Sequence, residues 1–165
     1  MTLRLVALTA ESLAALYEGR ADWAREQPEL ADVSWPEDDR RVLRYRHEAL
    51  AADPASAPYL LHAALIDGAF VGRIGCHAAP DETGTVEIGY AVATPLRRQG
   101  IGGQVVDAFL RWLEDQGVAR VVASVAPDNE PSMRLLAKRG FVRVGEHWDD
   151  EDGLELVLGR DLTVR

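Results

Sequence analysis

Residues 3–8 form an apolar run ending at Thr9, and Leu13, Leu16 and Tyr17 then recur at helical spacing, which predicts a strand followed by a helix. Trp35, Pro36 and the acidic Glu37, Asp38 and Asp39 read as a second helix start. Val42, Leu43, Tyr45 and Leu50 continue it at helical spacing, and the two prolines within residues 53–58 break it. Residues 59–66 are rich in strand formers, Asp67-Gly68 is a two-residue hairpin signal, and residues 69–78 supply the returning strand. A turn over residues 80–84 and a third strand over 85–93 complete an antiparallel meander.

From Gly100 the period changes. Val105, Phe109, Trp112 and Leu113 share one helical face, and Gly117 stands where a helix-ending glycine belongs. Residues 120–126 read as a buried strand. Asn129 is placed to cap a short helix carrying Leu135 and Leu136, closed by Gly140 with Phe141 beyond it. Strands over residues 141–146 and 154–160 finish the chain. The expected fold is α+β, a mostly antiparallel sheet of about seven strands with helices on both faces.

Composition narrows the classes. A chain of 165 residues is the size of one ordinary domain, here 1–165, and 47% hydrophobic with 27% charged residues is a globular balance rather than that of a disordered or membrane protein. Met1-Thr2-Leu3-Arg4 shows no basic stretch leading into an apolar core, so a cytoplasmic protein is expected. Eighteen basic against 27 acidic residues leave a net charge of -9, which argues against a nucleic-acid partner and leans toward cationic small molecules or peptides. Cys76 is the only cysteine, excluding an internal disulfide and any multi-cysteine metal site. Flanked by Ile74, Gly75 and Ala78, it reads as a small buried residue rather than a nucleophile.

Candidate chemistry concentrates in Thr94-Pro95-Leu96-Arg97-Arg98-Gln99-Gly100-Ile101-Gly102-Gly103, between a strand and a helix. A glycine-rich turn opening a helix aims backbone N–H groups at one point where the helix dipole also favours an anion, and the arginines add charge. Gly102 is followed by Gly103 and Gln104, which excludes a nucleoside-triphosphate P-loop, and Val105 stands where a dinucleotide fingerprint needs glycine. A plain tight turn remains open.

The same segment resembles the pyrophosphate loop of the GNAT superfamily of N-acetyltransferases, Arg/Gln-x-x-Gly-x-Gly/Ala, with Arg97, Gly100 and Gly102 in register. The family's asparagine after a strand, followed by a helix and Lys-x-Gly-Phe, is matched by Asn129, 27 residues beyond Gly102, and Lys138-Arg139-Gly140-Phe141. Glu87-Ile88-Gly89-Tyr90-Ala91-Val92 resembles its fourth strand, so the likeness runs from residue 86 to about 158. It implies a splayed parallel strand pair, acetyl-CoA as co-substrate and no metal. It further implies that backbone N–H groups of Arg98, Gln99, Gly100, Ile101, Gly102 and Gly103 hold the pyrophosphate, with Arg97 beside them. Val92 and Asn129 would contact the pantetheine arm, Asn129 reading equally as a plain helix cap.

Acetyl transfer to an amine requires alignment of the reactants, removal of a proton from an ammonium of pKa about 10.4 and stabilisation of an oxyanion. Glu87 is the candidate base, because on an alternating strand it shares a face with the small Gly89, Ala91 and Ala93. A surface glutamate is the competing reading, and His77 is the next candidate base. Many family members carry an acidic tyrosine where this chain has Leu136. The pattern Asn129-x-x-Ser132 with Lys138-Arg139-Gly140-Phe141 resembles instead the branch that acetylates ribosomal-protein N-termini, which makes Ser132 the candidate donor to the sulfur. Glu146, Asp149, Asp150, Glu151 and Asp152, flanking Trp148, are expected in the loop between the last two strands, either selecting a cationic acceptor or as a solvated hairpin. An amine acetyltransferase is therefore expected, on a small molecule or a protein N-terminus, with a homodimer as the family commonly forms. A non-catalytic acyl-CoA-binding module is the alternative.

Overall fold

A computed structural model describes residues 2–162. In chain order the elements are β1 (Leu3–Ala7), α1 (Ala10–Tyr17), α2 (Arg40–Ala52), α3 (Ala57–Leu60), β2 (His62–Ile66), β3 (Ala69–Cys76), β4 (Thr85–Val92), α4 (Ile101–Asp115), β5 (Arg120–Val125), α5 (Glu130–Ala137), β6 (Val142–Asp149) and β7 (Gly153–Asp161). The seven strands form one sheet in the order β1-β2-β3-β4-β5-β7-β6, antiparallel throughout except for β4 and β5. The expected α+β fold with a mixed seven-stranded sheet is therefore the observed one. No helix among the described residues is long and apolar enough to cross a membrane.

Local chemistry explains most of the elements. Thr9 caps α1, accepting from the Ser12 backbone N–H at 3.1 Å. The β2–β3 turn places Asp67 at φ 51° and Gly68 at φ 83°, the pair of positive values that a two-residue hairpin requires. Cys76, Val86 and Ile88 join the α4 side chains Val105, Phe109 and Leu113 in one core, while Leu13, Leu43, Leu60 and Leu65 form a second core on the opposite face of the sheet. Phe109 is fully buried, so truncation to Ala would destabilise by about 3–5 kcal/mol. Burial pushes the Cys76 thiol up to about 12, in keeping with its reading as an inert core residue.

Two expectations need correction. Residues 59–66 are not strand throughout. Tyr59 and Leu60 belong to α3, where Pro58 sits at the helix start and the His62 ring pairs with the Pro58 carbonyl at 2.7 Å. The last hairpin is also longer than expected. Glu146 and Asp149 lie within β6, leaving Asp150, Glu151 and Asp152 as the turn.

Candidate active site

The ladder between β4 and β5 contains only Thr85↔Arg120, Val86↔Val121 and Glu87↔Val122. Beyond Glu87 the strands part, and β7 takes the far edge of β5 as far as Val125. The backbone of β4 alternates, with the Glu87 carbonyl accepting from His77 and the Ala93 N–H donating to Val71 on the β3 side. Ile88, Tyr90 and Val92 consequently turn their backbone groups toward the gap. This is the splayed parallel pair that the sequence resemblance implied.

The glycine-rich segment lies at the end of that gap. Arg98 has φ 65° and Gly100 φ 77°, the latter being the residue that opens α4. A positive φ at a bulky residue such as Arg98 is strained and persists where surroundings enforce it. No side chain caps α4, so the N–H groups of its first turn are left pointing out of the helix start. Ile101 is buried and anchors that turn to the core. The result is an anion cradle of unsatisfied donors with the helix dipole behind it. Gln99 holds the loop through the Pro95 carbonyl at 3.4 Å, and Arg97 Nε donates to the Val92 carbonyl at 3.1 Å.

A groove of about 530 Å³ runs from this loop along α5 to Tyr90. Gly102, Gly103, Asn129, Ser132 and Leu135 border it. Asn129 does cap α5, its side-chain oxygen accepting from the Ser132 N–H at 3.3 Å, while the residue also faces the groove. Ser132 Oγ meets the Tyr90 hydroxyl at 2.5 Å. Burial raises the Tyr90 pKa, against opposing effects of Ser132 and Arg139, so the phenol remains protonated at neutral pH. Leu136 is fully buried in the core. The Arg139 guanidinium holds Asp107 at 2.8 and 3.2 Å and packs over the bare Cα of Gly103, adding a cation behind the cradle.

On the other side of Tyr90 lies a second cavity of about 840 Å³, walled by α2, β4 and the β6–β7 hairpin. Glu87 faces it, with Oε2 at 2.7 Å from His77 Nδ1 and Oε1 accepting from Ser124 Oγ at 2.7 Å. Burial alone would raise the Glu87 pKa; the hydrogen bond and charge of His77, with help from Ser124 and His147, override it and hold the group down at about 2. The chain of contacts continues from Ser124 to His147 Nε2 at 3.1 Å, and from there to Glu155 at 3.4 Å. Gly89 leaves open space between two nitrogens. A methyl group at its Cβ position would stand 3.3 Å from Arg46 Nη2 and 3.4 Å from His77 Nε2.

The acidic turn is not a free solvated hairpin. Arg41 pairs with Asp152 at 2.8 Å and Glu151 at 2.6 Å, and Arg44 reaches Glu151 at 3.4 Å, so the turn is latched to α2. Carboxylate oxygens of Asp149, Asp152 and Glu155 lie within 4.8 Å of one another, with the Arg41 guanidinium against the first two.

The structure thus gathers Arg97, Arg98, Gly100, Gly102 and Gly103 with Val92, Asn129 and Ser132 around one groove, keeps the Gln99 and Ile101 side chains off its lining, and sets Glu87 with His77 in the adjoining cavity. Sequence reasoning passed over Tyr90, named only as part of the strand from Glu87 to Val92, and also Ser124, His147, Glu155 and Arg46. Arg46 carried a signal, since it falls three residues after Leu43 and four before Leu50, on the stripe that the helix buries.

The family model of the acetyltransferase (GNAT) domain matches residues 2–142, and the chain belongs to that family. A Bacillus subtilis (strain 168) protein described as uncharacterized N-acetyltransferase YoaA is 36% identical over 76 residues, covering 46% of this chain and 43% of that protein, less than half its length. Among solved structures, RimL, a ribosomal L7/L12 alpha-N-protein acetyltransferase in complex with coenzyme A, superposes with a TM-score of 0.70 at 16% identity, covering 100% of this chain and 97% of that one. The aminoglycoside acetyltransferase AAC(6')-Ib, also in complex with coenzyme A, gives 0.63 at 19% identity over 97% and 95% of the two chains. At such identities the likeness shows the shared fold.

Proposed function

We propose that this chain transfers an acetyl group from acetyl-CoA to a primary amine, of a small molecule or a protein N-terminus, by direct attack on the thioester. The observation that carries this reading is the meeting of the two cavities at Tyr90. One runs to an uncapped helix start suited to a pyrophosphate, and the other holds an acid–base pair. The cradle fits the co-substrate on its own geometry, because the α4 donors have no side-chain acceptor and a Cβ at Gly102 would crowd Leu135 at 3.1 Å inside the groove. The exposed edge of β4 suits an amide-bearing arm, with the Val92 N–H and Asn129 in reach.

Acetyl-CoA supplies an already activated thioester, so the chain's own groups have to align and move protons. A carboxylate held near pKa 2 is a weak proton acceptor, and both oxygens of Glu87 are already engaged, one by His77 and one by Ser124. His77 Nε2 therefore takes the ammonium proton, while Glu87 fixes the proton on Nδ1 and balances the imidazolium that forms. As the new N–C bond forms and the C–S bond breaks, the sulfur receives a proton from the Ser132–Tyr90 pair, in place of the tyrosine that Leu136 displaces, and that pair is made whole by the second proton that the nitrogen sheds on becoming an amide. The relatives' descriptions support an amine acceptor, since one names a protein N-terminus and the other an aminoglycoside. Thiol release from acetyl-CoA across a panel of amines, with mass detection of the acetylated product, tests the reading. Turnover with at least one amine is expected; coenzyme A binding with no turnover on any would favour the non-catalytic acyl-CoA-binding module.

A further inference from the structure

Arg46 projects from α2 into the wall of the acceptor cavity with 4% of its surface exposed. Among the described residues its guanidinium has no ion pair or hydrogen bond, and its Nε is a buried donor without a partner. The neighbouring Arg73, nearly as deep, shows how the fold treats a buried guanidinium when it serves structure alone. Asp39 accepts from Arg73 Nε and Nη2 at 2.9–3.1 Å. The two carboxylates whose charge reaches Arg46, Asp39 and Glu87, are committed elsewhere, to Arg73 and Trp35 in the first case and to His77 and Ser124 in the second. Burial and the like charge of Arg73 lower the Arg46 pKa to about 10, which still leaves it a cation at neutral pH. A buried cation without a counter-ion is strongly unfavourable, and a bound anion is the arrangement that relieves it.

We infer that Arg46 binds a carboxylate carried by the acceptor itself, and that the acceptor is a free α-amino acid. This deepens the acetyltransferase reading and rests on it. Arg46 Nη2 and His77 Nε2 stand 3.3 and 3.4 Å from the same point above Gly89, so they lie closer together than the sum of those distances. An amine that meets His77 while its anionic group meets Arg46 has to hold the two groups a short distance apart, and an α-amino acid, with one carbon between them, is the smallest acceptor that does so. Any side chain at residue 89 would fill the space between those nitrogens, which accounts for glycine there. The inference reverses the leaning toward cationic acceptors drawn from net charge. Asp149, Glu151 and Asp152 are latched to Arg41 and Arg44, Glu48 on the cavity rim is exposed to solvent, and the buried charge left unpaired in the cavity wall is the positive one of Arg46.

The test is calorimetric titration of the coenzyme-A-loaded protein with the twenty L-α-amino acids. Any that binds is followed by its carboxamide, by a dipeptide with the same first residue, and by the Arg46→Met and Arg46→Lys variants. A hydrogen bond to a charged partner corresponds to about a 10- to 100-fold difference in affinity. At least one amino acid should bind, its amide and dipeptide should bind more weakly by that factor, and Arg46→Met should erase the preference while Arg46→Lys keeps part of it. Arg46→Met removes an unpaired buried charge, so it should fold and bind coenzyme A as wild type does. Amides or peptides binding as well as free acids, no amino acid binding at all, or a preference surviving in Arg46→Met would each overturn the inference. Thiol release measured on the same panel separates the two claims, because turnover of amines lacking a carboxylate would leave the acetyltransferase standing without it.

Discussion

Glu87→Gln isolates the electrostatic part of the proposed proton relay, since it keeps the size and polarity of the side chain. In the wild type, Oε2 lies 2.7 Å from His77 Nδ1, a contact that keeps the proton on Nδ1 and Nε2 open toward the cavity. A glutamine can present its NH₂ group to Nδ1, favouring the tautomer with Nε2 protonated and unable to accept, and it carries no charge to balance an imidazolium. General-base assistance is typically worth about 10²- to 10⁴-fold, or roughly 3–5 kcal/mol of barrier, and kcat at pH 7 should fall within that range. Ser124 can still donate to the amide oxygen, so the fold and coenzyme A affinity should be nearly unchanged. Steady-state thiol release from pH 6 to 9, with parallel calorimetry, reads both. Part of the rate should return as pH rises and free amine accumulates. Because the two residues act as a unit, Glu87→Gln combined with His77→Gln should be little worse than either alone. A mutant with wild-type kcat and an unchanged pH profile would refute the relay.

The same contact has a stability signature in acid. A carboxylate whose folded pKa is depressed to about 2 contributes stability that is complete above its unfolded value near 4.5 and is lost as pH falls toward 2. The contribution is at most about 3 kcal/mol, and denaturant midpoints for Glu87→Gln should lack that part of the acid slope. On the coenzyme side, Tyr90→Phe should lower kcat by at least about 10-fold without weakening coenzyme A binding, and Ser132→Ala should do so to a smaller extent, as steady-state kinetics with calorimetry would show.

How much of this was legible in the sequence depended on how local the cause was. Gly100, Gly102 and Gly103 announce the cradle because a positive φ, a close approach and a helix start are set within a few residues. Asn129 and Gly117 are equally local. Tyr59 and Leu60 misled because they favour strands, yet Leu60 is fully buried in a helical turn whose position is set by Pro58 and His62. The pairing of the acidic turn was illegible for a different reason. Glu151 and Asp152 pair with Arg41 and Arg44, more than 100 residues earlier in the chain, and no local pattern shows that pairing. Glu87 was visible as a lone charge on a small face. Its dependence on His77 and Ser124 came from β3 and β5 closing on either side of it.

Everything proposed for the chemistry depends on the N-terminus of α4 binding the pyrophosphate of coenzyme A. A Cβ on Gly102 would stand 3.1 Å from Leu135 Cδ1 and 3.4 Å from Val92 Cγ2, so an aspartate there enters the groove and sets a negative charge beside the helix start. Calorimetric titration with coenzyme A of the wild type and of Gly102→Asp, each checked for folding by circular dichroism, is the most direct test. The wild type should bind and a folded mutant should show no detectable binding; unchanged affinity in that mutant would mean that the pyrophosphate lies elsewhere.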